Sequence, residues 1–504
     1  MNRARPRLIV SLPGRTVAEL AAQCAQSAQD GADLAEVRVD RLDAEEMRPL
    51  DRWARAPGAL PLIATYRSRA EGGEGLNAGE ERRSIVDRLH DLPFRFVDLE
   101  VAADRETIRE RDPRRGRILS VHLEPGASLA RFEEAIRTEP PLDGFVKVVL
   151  SSSVERLYRE VRPALERLEG DRRIVLTTGP SGPILRIRPS PTAAAAVYVA
   201  RALGPAESAT GTAESVEATQ PPLDVARRFF AAEDRGRAFA LLGHPVAHSI
   251  SPRLHDLWYL GADLPGIYVA LDIASAEEFE AVLPALARDG FAGVNVTHPW
   301  KDEALRAADR ASPEAVSAGC ANTLTVADGG WSADNFDVRA VRRRAEELRE
   351  SGRWDGKEML VLGGGGAARA TLAAARDLGC RARVLVRRPE AARELARRFG
   401  ALPEEDEGRP YSLVVHATPC GRRGSATLEL AWEGHVGPGT HLLDFVHAPD
   451  SGDLASRTRR RGGSYEDGGR LLVYQAIEAH TRWWGAPPPP PLIERALREA
   501  GCAA

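Results

Sequence analysis

Short apolar runs alternate with charged, amphipathic stretches along the first 190 residues. Runs at Arg7–Leu12, Leu34–Asp40, Leu60–Ser68, Phe94–Glu100, Arg117–His122, Gly144–Leu150, Arg173–Thr178 and Ile184–Arg188 read as strands. Stretches such as Val154–Leu168 between them have helical spacing. Eight strands with intervening helices predict a (β/α)8 TIM barrel, an α/β fold. No helix is visible after the seventh strand, where only Pro180-Ser-Gly-Pro183 intervenes.

Beyond the barrel, residues 204–222 are small, polar and Pro-containing and read as a surface loop or linker. A second α/β unit opens at Phe239-Ala-Leu-Leu-Gly243, and a third at Glu358-Met-Leu-Val-Leu-Gly363. Pro487 to Pro491 form a stiff segment before a short helical stretch. The predicted organisation is a barrel over 1–225, a linker over 226–237, a substrate-binding unit over 238–345 and a Rossmann unit over 346–470. A helical segment over 471–504 is expected to pack back on the 238–345 unit.

At 504 residues the chain exceeds one core, and two to four domains are expected. It is 43% apolar and 28% charged, as globular proteins are, and its net charge of −4 gives no basic excess for nucleic acid. Five scattered cysteines form no metal-spaced cluster, and free thiols in a reducing cytoplasm are expected. The N-terminal apolar run is too short for a signal peptide, and no 18-residue apolar stretch predicts a membrane span.

Two lysines point to two chemistries. Lys147 sits in Phe145-Val-Lys-Val-Val-Leu150, where apolar surroundings are expected to favour an uncharged amine able to attack a ketone. Glu36 and Arg38, two apart on a strand, face the same side, the interior in a barrel. Arg67, Glu71 and His122 lie near the ends of strands three and five, and Arg186 lies on the eighth candidate strand. Ionisable groups at the C-terminal ends of barrel strands suit catalysis on an anionic ketone. Read singly, each has a blander explanation: a capping histidine, a snorkelling lysine, or a structural Glu36–Arg38 ion pair.

Glu36-Val-Arg38-Val-Asp40, Thr65-Tyr-Arg67 with Glu71-Gly-Gly, Ser120-Val-His122 and Phe145-Val-Lys147 resemble type I 3-dehydroquinate dehydratase over about residues 6–225. The resemblance implies that Lys147 forms a Schiff base with 3-dehydroquinate, that His122 is the acid–base residue and that Glu71 orients it. Glu36, Arg38, Arg67 and Arg186 would hold substrate hydroxyls and carboxylate. Leu123 stands where the family has Asp, and Arg188-Pro-Ser-Pro-Thr192 replaces a Phe-Gly-Ser segment. The family's lid motif is degenerate. Ser208-Ala-Thr-Gly-Thr212 and Glu217-Ala-Thr-Gln220 both offer a counterpart, and spacing favours Gln220.

In the second half, Val361-Leu-Gly-Gly-Gly-Gly-Ala-Ala follows a strand and opens a helix. Gly363, Gly365 and Ala368 fit GxGxxA, and Gly364, Gly366 and Ala367 complete a turn that meets a pyrophosphate. The next strand, Ala382–Val386, ends in Arg387-Arg388. Two arginines in place of an acid favour a 2′-phosphate, hence NADP.

Upstream lie Ser249-Ile-Ser251, then Asn295-Val-Thr297-His-Pro-Trp-Lys301, then Asn322-Thr323 with Asp334-Asn-Phe-Asp337. Singly these suit turn and cap chemistry. In this order, with Leu472-Val-Tyr-Gln475, they resemble shikimate dehydrogenase over about 238–485. The resemblance implies a Lys301–Asp337 catalytic pair, a substrate carboxylate on Ser249 and Ser251, and ring hydroxyls on Thr297, Asn322 and Gln475. It also places Thr418, in His416-Ala-Thr-Pro, at the cofactor. His416 replaces a family Asn, His447 a family Tyr, and Arg387-Arg388-Pro389 an Asn-Arg-Thr.

Together the two resemblances imply a cytoplasmic bifunctional shikimate-pathway enzyme acting on 3-dehydroquinate, 3-dehydroshikimate and shikimate with NADPH. Quinate or aminoshikimate are rival substrates for the second half. A metabolite-sensing regulator derived from both enzymes is a rival of another class.

Overall fold

The computed structural model describes residues 5–56, 58–202, 219–232, 236–247, 249–404, 408–421, 428–447 and 453–502. Eight parallel strands form the first sheet: β1 (Arg7–Leu12), β2 (Leu34–Arg38), β3 (Leu62–Thr65), β4 (Phe96–Glu100), β5 (Arg117–His122), β6 (Gly144–Ser151), β7 (Arg173–Thr178) and β8 (Ala196–Val199). Their order is β7-β6-β5-β4-β3-β2-β1-β8. The sheet curls until Ala195 N donates to Arg173 O at 3.2 Å, which brings β8 back to β7 and all but closes a barrel.

Strand alternation sorts the barrel's side chains into two sets. Leu8, Val10, Ala35, Val37 and Val97 point outward into the core beneath the helices. Ile9, Leu34, Ile63, Phe96, Ile118, Ile174, Leu176, Ala196 and Tyr198 fill the interior. Two residues further along β1 to β5 the interior turns polar, with Ser11, Glu36, Thr65, Asp98 and Ser120 all buried. An apolar floor therefore carries a polar layer at the C-terminal ends of the strands.

The eighth strand departs from expectation. Ile184–Arg188 is not a strand, because Gly182–Ile187 is helical and supplies the missing helix after β7. The strand is Ala196–Val199, which pairs with β1 from Arg7↔Ala196 to Val10↔Val199. Pro183 at the first helical turn presets the backbone, which explains why an apolar pentapeptide flanked by prolines folds as a helix here. Strands two and three end earlier than expected, at Arg38 and Thr65, so Asp40 and Ser68 lie in the loops beyond them.

A second sheet contains β9 (Arg237–Gly243), β10 (Gly266–Asp272), β11 (Phe291–Val296), β12 (Arg310–Ala311), β13 (Thr323–Ala327) and β14 (Gly330–Asp334), in the order β10-β9-β11-β13-β14-β12. β13 and β14 form an antiparallel hairpin whose tip, Asp328-Gly329, adopts positive φ. The third sheet is wholly parallel: β15 (Glu358–Leu362), β16 (Arg381–Leu385), β17 (Leu402–Pro403), β18 (Leu413–His416), β19 (His441–Asp444) and β20 (Ser464–Glu466). Its order, β17-β16-β15-β18-β19-β20, puts the turn after β15 at the centre of a Rossmann-type sheet. β16 begins and ends one residue before the expected Ala382–Val386.

The C-terminal helix Gly469–Trp484 lies against helix Phe336–Glu350, where Tyr474 donates to Glu347 at 2.6 Å. Its Trp483 Nε1 donates to Thr325 Oγ1 at 3.2 Å. The last helix starts at Pro490, inside the proline run, where proline suits the first turn. The chain divides into two compact units, Met1–Phe239 with Pro245–Gly290, and Ala240–His244 with Phe291–Ala504.

Candidate active sites

The polar layer of the barrel is a network of buried charges. Lys147 points inward from β6, and its Nζ lies 2.5 Å from Asp98 Oδ2 and 3.8 Å from Glu36 Oε1. This corrects the expectation of apolar surroundings. The valines that flank Lys147 in sequence, Val146 and Val148, are buried on the opposite face of the strand, while the lysine faces acids. Attack on a ketone from this position requires a proton to leave Nζ.

Asp98 was missing from the sequence-derived site. Burial pushes its carboxyl up, but the charges of Arg67 and Lys147 hold it well below the usual carboxylate range. Ser120 Oγ also donates to it at 2.6 Å. The signal was present in Phe96-Val-Asp98-Leu-Glu100, since two acids at strand spacing face the interior just as Glu36 and Arg38 do.

Arg67 stands at the centre. Its guanidinium reaches Glu71 at 2.6 Å, Asp98 at 2.9 Å and Glu100 at 3.2 Å. Burial alone would lower its pKa, but this ring of carboxylates raises it above the ordinary arginine value. Arg38 forms a bidentate pair with Asp40 at 2.9 and 2.7 Å. Glu36 instead accepts from Ser11 Oγ at 2.6 Å and Thr65 Oγ1 at 2.9 Å, so the Glu36–Arg38 ion pair is not formed.

His122 ends β5 with Nδ1 4.0 Å from Glu71 Oε2, while its Nε2 is buried without a hydrogen-bond partner. Burial, reinforced by the positive charges of Arg67 and Lys147, holds the ring well below the usual histidine range, so it stays neutral. Burial pushes the Glu71 carboxyl up to about 7. A neutral imidazole with an open nitrogen beside an amine suits proton abstraction next to a carbonyl. Arg186 is buried on its helix and donates to Thr177 O at 2.8 Å and Gly182 O at 3.1 Å. Gln220 lies just past the segment 203–218, and the alternative Ser208–Thr212 falls outside the described residues.

In the second unit, Lys301 opens a helix and its Nζ contacts Asp337 Oδ2 at 2.6 Å. Asp337 sits in the first turn of helix Phe336–Glu350. Asn322 Oδ1 accepts from Phe336 N at 2.9 Å and from Thr323 Oγ1 at 3.1 Å, which fixes the start of that helix. Thr297 N donates to Leu242 O at 2.9 Å, so the loop carrying Thr297 is tied to the end of β9. Gln475 Nε2 donates to Leu472 O on the C-terminal helix. In the first unit, Ser249 Oγ donates to Ser251 Oγ at 3.2 Å and accepts from Ser251 N at 3.2 Å.

The glycine turn after β15 leads into helix Gly366–Asp377. Gly363 has φ +117, and a Cβ there would lie 2.9 Å from Ala417 O and from Thr418 Cγ2. Only glycine suits this position. A Cβ on Gly366 would lie 3.1 Å from Lys301 Cδ, so the turn packs directly on the lysine stem. Gly365 caps the helix with an open N-terminus, and Gly364, Ala367 and Ala368 add no bulky side chain. Arg387 and Arg388 are exposed just beyond β16. These features fit a dinucleotide bearing an extra phosphate.

Behind this turn lies a buried chain that sequence reasoning had noted only as a departure. His416 Nε2 pairs with Thr418 Oγ1 at 2.6 Å and its Nδ1 with Asp444 Oδ1 at 2.7 Å. Tyr465 donates to the other Asp444 oxygen at 2.8 Å. The chain fixes Thr418 against Gly363. His447 Nδ1 lies 3.6 Å from Asp467 Oδ2. Among the described residues, no cluster of His, Cys, Asp or Glu is arranged to hold a metal ion.

Residues 8–139 match the family model of type I 3-dehydroquinase, and residues 241–324 match that of the shikimate dehydrogenase substrate binding domain. The first match contains Glu36, Arg38, Arg67, Glu71 and His122 but ends before Lys147, whose place in the site rests on the barrel geometry. An NADP(+) shikimate dehydrogenase of Acidiphilium cryptum is 37% identical over 254 residues, covering 49% of this chain and 90% of that protein. One from Rhodospirillum rubrum is 35% identical over 262 residues, covering 49% and 92%. A Thermus thermophilus shikimate 5-dehydrogenase, solved with NADP(H) and shikimate, aligns with a TM-score of 0.47 at 33% identity, covering 52% of this chain and 99% of that one.

Proposed function

The chain belongs to the shikimate dehydrogenase family through its second half, and we propose that it joins that activity to a type I 3-dehydroquinate dehydratase in the barrel. The first site converts 3-dehydroquinate to 3-dehydroshikimate. The second reduces that product to shikimate. The carrying observation is a pair of lysine–carboxylate contacts, Lys147–Asp98 at 2.5 Å inside a barrel and Lys301–Asp337 at 2.6 Å beside a dinucleotide turn.

In the barrel, Lys147 adds to the ketone and forms an imine, which acts as an electron sink for the neighbouring C–H bond. His122 takes that proton through its open Nε2 and returns it to the departing hydroxyl. Glu71 holds the ring from the Nδ1 side. Arg38, Arg67 and Arg186 offer positive charge to the substrate carboxylate, and Glu36 and Gln220 contact its hydroxyls.

In the second site, Gly363, Gly364, Gly365, Gly366, Ala367, Ala368 and Thr418 form the cradle for NADPH, and Arg387 and Arg388 meet its 2′-phosphate. NADPH supplies the hydride when bound. Lys301 donates to the carbonyl oxygen and delivers its proton, while Asp337 holds the ammonium in line. Ser249 and Ser251 bind the carboxylate, and Thr297, Asn322 and Gln475 bind ring hydroxyls. Five free cysteines accord with a cytoplasmic setting.

A coupled assay tests the reading. Purified protein given 3-dehydroquinate and NADPH should produce shikimate, and borohydride should trap substrate on Lys147. A folded preparation that leaves 3-dehydroquinate unchanged would refute the barrel assignment. Turnover of quinate or aminoshikimate in preference to shikimate would redirect the second.

A further inference from the structure

Among the described residues, Asp98, Glu36 and Tyr198 each place an oxygen within 3.8 Å of Nζ of Lys147. Two are carboxylates. Tyr198 is the one that carries an O–H. It enters from β8, buried within the apolar floor, with its hydroxyl 3.5 Å from Nζ and its ring centroid 5.0 Å from the same nitrogen. Burial, with the negative charges of Glu36 and Asp98 close by, holds the proton on the phenol. Glu36 itself is fixed by Ser11 and Thr65.

Imine formation has a proton inventory. An ammonium and a ketone give an iminium and water with no net gain or loss of protons. Two protons leave the nitrogen and both end on the departing oxygen. His122 is engaged at the adjacent carbon, and Asp98, held well below the usual carboxylate range, is a weak base and carries no proton to give. Some group must move a proton from nitrogen to oxygen on this side of the carbonyl.

We propose that Tyr198 is a further catalytic residue of the barrel, shuttling a proton between Lys147 Nζ and the substrate oxygen as the imine forms and as it is hydrolysed. At rest, Nζ donates to the phenol oxygen. With substrate in place, the phenol donates to the substrate oxygen and passes two protons in turn, each time giving its own proton to that oxygen and taking one from Nζ. The first pass accompanies attack of Nζ on the carbonyl carbon and leaves a hydroxyl. In the second, the C–O bond breaks, the nitrogen lone pair closes the C=N bond and water leaves. Nζ keeps one proton as the iminium, and the phenol ends as it began. Product release runs the same steps in reverse. Burial keeps the phenol protonated far into the alkaline range, so it begins each cycle loaded.

This inference rests on the imine reading of the barrel, and the test separates the two. Tyr198→Phe keeps the ring that fills the floor and removes only the oxygen. Rapid-quench borohydride trapping with 3-dehydroquinate, read by mass, gives the rate of imine formation. We expect that rate and kcat to fall at least about tenfold with KM little changed, within the range of one lost acid–base group. Substrate deuterated at the carbon that loses its proton should show a smaller isotope effect in the variant, because imine formation becomes limiting. Wild-type protein that turns over without any trapped adduct would overturn the imine reading itself. Trapping in both proteins at equal rates, or a slower variant with an undiminished isotope effect, would overturn the role of Tyr198 alone.

Discussion

Lys147 and Asp98 meet at 2.5 Å across β5, the strand that separates their own strands in the sheet. Asp98 also pairs with Arg67, so one carboxylate is shared by two buried basic side chains. Asp98→Ala is expected to lower unfolding free energy by about 3–5 kcal/mol, as removal of one partner of a buried pair does. Urea titration followed by circular dichroism measures this. The depressed acid contributes its stability above the ordinary value of 3.8 and loses it as pH falls through its folded value. The gap between wild type and variant should therefore narrow below pH 3.8. A constant gap would argue against the charge pair as its cause.

The dehydratase pH profile should carry two separable inflections. His122 is held well below 6.5 and stays a competent base in mild acid. Glu71 is pushed up to about 7, so it is protonated below that pH and charged above it. An inflection near 7 in kcat/KM should vanish in Glu71→Gln, while the steeper acidic fall below 6.5 remains. A profile unaltered by the substitution would remove Glu71 from the site.

Lys301→Ala should lower kcat for 3-dehydroshikimate reduction by about 100-fold or more and leave the NADPH KM within about threefold, the signature of a lost proton donor. Dehydration in the same preparation provides the internal control. Equal loss of cofactor affinity would recast Lys301 as a binding residue.

Gly363→Ala would force a side chain into a φ of +117 and against Ala417 O. A cost of about 1–3 kcal/mol is expected, together with weaker NADPH binding by fluorescence titration. An unchanged Kd would place the phosphates elsewhere.

Replacing Arg387 and Arg388 together by Ala should weaken NADPH binding by about tenfold or more, since charge-assisted hydrogen bonds contribute about 1.5–3 kcal/mol each. NADH binding should hardly change. A parallel loss for both nucleotides would reject the 2′-phosphate contact.

Much of this architecture was readable from the chain because barrel strands announce themselves by apolar runs and the glycine turn by its spacing. Arg117–His122 and Arg173–Thr178 fold over the expected residues. Ile184–Arg188 misled because five apolar and basic residues suit a strand or a helix equally, and only the pairing of Ala196–Val199 with β1 decides. Lys147 misled for a different reason. Its apolar neighbours in sequence face away from it, and the acids it meets come from β2 and β4. Asp98 and Tyr198 acquire meaning only once eight strands are curled together. The Thr418–His416–Asp444 chain likewise joins the ends of two strands 28 residues apart.

Gly366 touches the stem of Lys301. The nucleotide cradle and the proton donor thus share a wall, and neither can be recontoured without disturbing the other. Attempts to retune coenzyme choice belong at the distant, solvent-facing arginines, where changes leave the reduction chemistry in register. Enlarging the turn itself would trade away turnover along with selectivity.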